Sequence, residues 1–79
     1  MNTQEVKGVL LEAYKAIAND TKRRRPSTIG QCSIDTGYDL LEVEKHTESL
    51  ESDGKVELSA KKPGKENISI RKVSVVPSV

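Results

Sequence analysis

The 79-residue sequence contains no Phe and no Trp, and it has only one Cys, one His and two Tyr. Its core must therefore be built from Ile, Leu, Val, Ala and the two tyrosines, and a domain of this size is expected to be stable by only about 5 kcal/mol. A chain this short makes one domain at most. A single thiol, Cys32, excludes an intramolecular disulfide, and one His with one Cys cannot close a zinc site, so no metal and no cofactor are expected. The lone thiol fits a reducing compartment. No apolar run approaches the roughly 18 residues that span a membrane. The opening Met-Asn-Thr-Gln-Glu has neither a basic n-region nor an apolar h-region, so no signal peptide is expected. A soluble, cytoplasmic, non-membrane protein follows as the expectation. There is no Gly-rich phosphate loop, HExxH or paired-Cys motif, and His46 has no nucleophile or base arranged about it. The expectation is a protein that is not an enzyme.

What is present is charge, and it is segregated. The net charge is +1. Residues 1–38 carry +2, residues 39–53 carry −5 and residues 54–79 carry +4. The acidic block falls on a single helix, whereas Lys22-Arg23-Arg24-Arg25 and the lysines near the C-terminus form separate basic clusters.

Periodicity and capping signals order the chain. Val6, Val9, Leu10, Ala13 and Ile17 recur at helical spacing, which predicts an amphipathic helix from Thr3 to about Ala18, with Asn2 and Glu5 at capping-box spacing. Pro26 disfavours helix at Arg25, so residues 21–26 read as a connection. Thr28 and Gln31 cap a short helix with Ile29, Cys32 and Ser33 inward, ending near Thr36 with Gly37 in the left-handed C′ position. Cys32 reads as a small core residue rather than a reactive one. Asp39 and Glu42 cap the next helix, and Tyr38 and Val43 have hydrophobic-staple spacing. Val43, Thr47 and Leu50 continue inward until Gly54. Lys55 to Ala60 alternates, with Val56, Leu58 and Ala60 on one face, and Asn67 to Ile70 alternates, with Ile68 and Ile70 on one face. Pro63-Gly64 between them suits a type II turn, so the two runs predict an antiparallel hairpin. Val73 and Val75 are out of phase with Ile68 and Ile70, which predicts a bulge or strand end near Arg71-Lys72. Pro77 closes any strand and residues 77–79 are expected to fray. The result is one α+β domain over residues 1–76, three helices followed by a β-hairpin.

Ile29, Cys32 and Ser33, the Gly37-Tyr38 turn, Val43, Leu50 and the run Leu50-Glu51-Ser52-Asp53-Gly54-Lys55-Val56-Glu57-Leu58 together resemble the winged helix-turn-helix superfamily of prokaryotic regulators, of the MarR, ArsR and Lrp type. With the first helix and the wing, the resemblance covers about 70 residues. Thr47 stands where that family usually has Leu, which leaves a thinner core or a hydroxyl bonded back to its helix.

The resemblance implies a transcriptional regulator or genome-handling accessory that binds double-stranded DNA, with RNA held open. Phosphate contacts are expected from Lys22, Arg23, Arg24 and Arg25 and from Lys61, Lys62, Lys65, Arg71 and Lys72 on the wing. The exposed face of the recognition helix is expected to carry Leu40, Leu41, Glu44, Lys45 and Glu48. The acid content of that helix opposes phosphate, with Glu44 and Glu48 as the principal obstacles. The alternative is an interaction module that docks a protein partner or forms a homodimer through the acidic helix and Leu40/Leu41.

Overall fold

A computed structural model describes residues 2–59 and 67–77. The chain is a winged helix of α+β class: α1 (Thr3–Asn19), α2 (Ile29–Thr36), α3 (Leu40–Ser52), β1 (Val56–Leu58), a 3₁₀ turn (Ile68–Ile70) and β2 (Val73–Val75). The caps are those the sequence dictates. The Asn2 side chain accepts from Glu5 N–H, Thr28 from Gln31 N–H and Asp39 from Leu41 N–H. Gly37 ends α2 at φ +78°, a left-handed conformation that Gly adopts without steric cost. Only half of the second capping box forms, because the Gln31 amide reaches forward to Asp35 (2.9 Å).

Leu10, Tyr14, Ile17, Ile29, Cys32, Val43, Leu50, Val56 and Val73 form the buried core. The buried face of α1 therefore runs through Lys7, Leu10, Tyr14 and Ile17. It is rotated from the expected stripe, and Val9 faces solvent. The cause is Tyr14, whose ring fills the centre of this aromatic-poor core while its hydroxyl meets Thr47 Oγ1 at 2.7 Å. Each buried hydroxyl thus has a partner. The Thr47 hydroxyl is bonded across to α1, not back along its own helix.

The return strand is the main correction. Asn67–Ile70 does not pair with β1. The Asn67 carboxamide oxygen accepts from Ser69 N–H (3.0 Å) and Ser69 Oγ (2.7 Å), a local turn that competes with extended pairing. The strand begins where it was expected to end: β2 pairs antiparallel with β1 in the register Val56↔Val75, Glu57↔Ser74 and Leu58↔Val73. Its other edge is occupied too. Val73 N–H donates to the Ser27 carbonyl (2.8 Å), Ile29 N–H donates to the Arg71 carbonyl (3.1 Å), and Thr28 bridges Lys72. The segment leading into α2 thereby acts as a third, minimal strand, which places Val73 on the core side between two neighbours. Ala60 and the Pro63-Gly64 turn lie outside the described residues.

The 3₁₀ turn packs on α2 at Gly30, where an added Cβ would lie 2.7 Å from Ser69 Cβ and 2.8 Å from the Ser69 carbonyl oxygen. At Gly8, on the exposed side of α1, an added Cβ meets nothing within 4 Å. The same substitution should therefore have opposite effects at the two sites. In urea unfolding, Gly30→Ala is expected to destabilise by about 1–3 kcal/mol. Gly8→Ala is expected to stabilise by up to about 1 kcal/mol. Equal effects at both positions would contradict this packing.

Candidate nucleic-acid interface

On α3, the buried line of Val43, His46, Thr47 and Leu50 turns Leu41, Lys45 and Glu48 outward on the opposite face. Leu41 is 61 % exposed. Two expected members of this face are not on it. Leu40 is half-buried against the core. The Glu44 carboxylate is turned sideways to Arg71 and is only 14 % exposed.

Each acidic side chain from Asp39 to Asp53 has a contact within the fold, although Glu42, Glu48 and Asp53 stay about half exposed. Asp39 caps its helix. Glu42 lies 3.4 Å from His46 Nε2 and so points forward along α3, where the capping box would have turned it back. Glu51 accepts from Leu58 N–H (3.3 Å), and Asp53 pairs with Lys7. Glu44 and Glu48 share Arg71 Nη1, at 3.1 and 3.5 Å.

Arg71 is thus not a free phosphate contact. Its residue exposure is 9 %, and Nη2 reaches the Ser59 carbonyl at 3.5 Å. Arg71 Nε is buried with no hydrogen-bond partner. The pairing of its backbone with Ile29 holds the side chain beneath α3, where two carboxylates can offset its desolvation.

The Arg run divides in the same manner. Lys22, Arg23 and Arg24 are exposed, and Arg24 takes a left-handed φ of +53°. Arg25 instead joins the end of α1 to α2, with Nε 3.2 Å and Nη2 3.0 Å from Asp20 Oδ2, and with Nη1 on Asp35. The hydrogen bond to Asp35 raises the Arg25 pKa, and the Arg23 N–H donated to Asp20 (3.2 Å) lowers that carboxyl below its ordinary value. Lys72 is exposed and bridges to Thr28 at the start of α2. Lys61, Lys62 and Lys65 lie outside the described residues. The cations presented to solvent from the two predicted clusters are, among the described residues, Lys22, Arg23, Arg24 and Lys72.

Compared with known proteins, the chain matches no family model, no curated protein and no solved structure. Among the described residues, no group of three His, Cys, Asp or Glu side chains could hold a metal ion, and no helix is long and apolar enough to cross a membrane.

Sequence reasoning missed Asp20 and Asp35 as the partners of Arg25, and it missed the exposure of Ile70. No spacing rule predicts the ion pairs, because they form between elements. For Ile70 no local signal existed either, since Gly30 and Gly8 both lie within helices and only Gly30 meets another segment.

Cys32 is fully buried beside Tyr14, and burial pushes its thiol from 9.0 up to about 11. Burial likewise raises the Tyr14 hydroxyl above its ordinary 10.0. In both cases the folded state holds its proton where the unfolded chain releases it, so the contribution of these two groups is fully present below about pH 9 and is lost as the pH rises, through about 11 for Cys32 and from about 10 upward for Tyr14. Melting temperature measured across that range should decline, and Cys32→Ala should make the decline shallower. Alkylation of Cys32 at neutral pH should require unfolding. Rapid modification of the folded protein would show that the thiol is not sealed.

Proposed function

We propose that this protein is a non-enzymatic winged-helix module that binds double-stranded DNA, as a small cytoplasmic transcriptional regulator or genome-handling accessory of the winged helix-turn-helix superfamily. Lys22, Arg23, Arg24, Lys72 and the wing residues Lys61, Lys62 and Lys65 contact phosphate. Leu41, Lys45 and Glu48 face the groove. The observation that carries the reading is the partial offset of the acids of α3: Glu44 and Glu48 share the buried guanidinium of Arg71, and Asp53 pairs with Lys7. An isolated helix of net charge −5 would be repelled by the phosphates lining both sides of a groove. Lys7 and Arg71 offset two of those charges and bring the net from −5 to −3, and Lys45 remains as an outward donor able to reach guanine acceptors.

Titration of the labelled protein with a random-sequence duplex tests this. Amide shifts are expected at Lys22 to Arg24, Leu41 to Glu48 and Lys72. Four phosphate contacts would weaken affinity about 100-fold between roughly 50 and 200 mM salt, and the wing lysines would steepen that dependence. Absence of shifts at low salt would remove the reading.

Arg71 provides a second test. Arg71→Met is expected to weaken duplex binding by exposing the charges of Glu44 and Glu48, although Arg71 itself does not reach phosphate. Glu44→Gln with Glu48→Gln should restore binding in that background. Loss without restoration, together with a shallower salt slope, would mean that Arg71 touches phosphate directly.

A further inference from the structure

Ile34 and Ile70 are 76 % and 60 % exposed, and they lie 36 residues apart in sequence, yet the fold brings both to one open cleft of about 460 Å³. Pro26, Thr28, Gly30, Gln31, Ser69 and Lys72 complete its lining. One exposed isoleucine is ordinary; two on the walls of one cleft in a chain with so few large apolar residues are not. The walls are preformed. Ile68 packs against the core, Gly30 lets Ser69 press onto α2, and the Arg71 carbonyl accepts from Ile29 N–H, so Ile70 is held outward by a turn anchored on both sides. Little conformational freedom is left to be lost when a ligand seats there.

The charge of the rim selects the occupant. Among the described residues, Lys72 lines the cleft and no acidic side chain does. The nearest carboxylate in sequence, Asp35 beside Ile34, is held by Arg25 and Gln31. At the Pro26 end the chain runs back into the exposed cations Arg24, Arg23 and Lys22. We infer that the cleft between α2 and the 68–70 turn is a docking site for an acidic segment of a partner protein, one that inserts bulky apolar side chains between Ile34 and Ile70 and sets its carboxylates against Lys72 and the 22–24 run. This site is separate from the outward face of α3, but it shares Lys72 and the 22–24 cations with the proposed phosphate contacts, so an acidic partner and a duplex would compete for them.

Panning a phage-displayed random peptide library on the intact protein tests the inference, followed by fluorescence polarisation with the selected peptide. The expected consensus pairs two bulky apolar residues with flanking Asp or Glu. Ile34→Ser and Ile70→Ser, at exposed positions where the fold is checked by circular dichroism, should each weaken the peptide by about tenfold. Lys72→Glu and added salt should weaken it further. No enriched peptide, a consensus without acidic residues, or binding indifferent to both isoleucines would overturn the proposal. So would either of two other outcomes: a dimer in sedimentation that Ile70→Ser dissolves, which would make the cleft a seam between copies, or loss of duplex binding in the serine variants with no peptide selected, which would make it part of the nucleic-acid interface.

Discussion

The arrangement turns on the pairing of residues 27–29 with residues 71–73. Two backbone hydrogen bonds form there, Val73 N–H to the Ser27 carbonyl and Ile29 N–H to the Arg71 carbonyl, and together they set Thr28 opposite Lys72. Because successive side chains along extended backbone point to opposite faces, this short antiparallel contact distributes residues 71–73 in a forced order, and Ile70 leaves the preceding 3₁₀ turn on the outer side. Val73 and Arg71 go inward, the first to the core and the second beneath α3. Lys72 and Ile70 go outward, the first beside the start of α2 and the second into the cleft. A slip of one residue would expose Val73 and Arg71 and bury Lys72. The partly offset helix and the apolar cleft therefore depend on the same register.

That register was the part of the fold least legible in the sequence. Caps are local, and they were readable: Asn2, Thr28, Gly37 and Asp39 each act within four residues of their partners, so spacing alone identifies them. Strand choice is not local. Ile68-Ser69-Ile70 and Val73-Ser74-Val75 carry the same alternation, and propensity cannot rank them. The contest is decided by Asn67, which favours a turn, and by the unpaired edge at Ser27–Thr28, which only the later segment can reach. The face of α1 was misjudged for a related reason. Counting aliphatic residues favoured a stripe through Val9, whereas the buried line follows Tyr14, whose hydroxyl has its partner on α3.

The site was legible to about the same depth. Residues whose side chains stand in solvent, such as Lys22, Arg23, Arg24, Leu41 and Lys45, were placed outward by periodicity and composition alone. Arg25, Arg71 and Glu44 were misplaced because each finds its partner on a different element: Arg25 at the end of α1 and on α2, and Arg71 on α3 from across the wing. A charge run in sequence is not a charge patch in space until the ion pairs have been subtracted from it.

That subtraction changes the electrostatic character of the molecule. By sequence, α3 is an acidic helix between two basic segments. In space, one cation from the Arg run is drawn inward to Asp20 and Asp35, and one from the wing is drawn inward to Glu44 and Glu48. Such pairs contribute little net stability against well-packed apolar residues, because desolvation offsets their attraction. A chain without Phe or Trp has few large apolar side chains to substitute for them, and the pairs have a second consequence that apolar packing lacks. They draw Asp20, Asp35 and Glu44 away from the outer surface while leaving Lys22, Arg23, Arg24, Lys45 and Lys72 on it. A chain whose net charge is only +1 can in this way present cations outward without a basic overall composition.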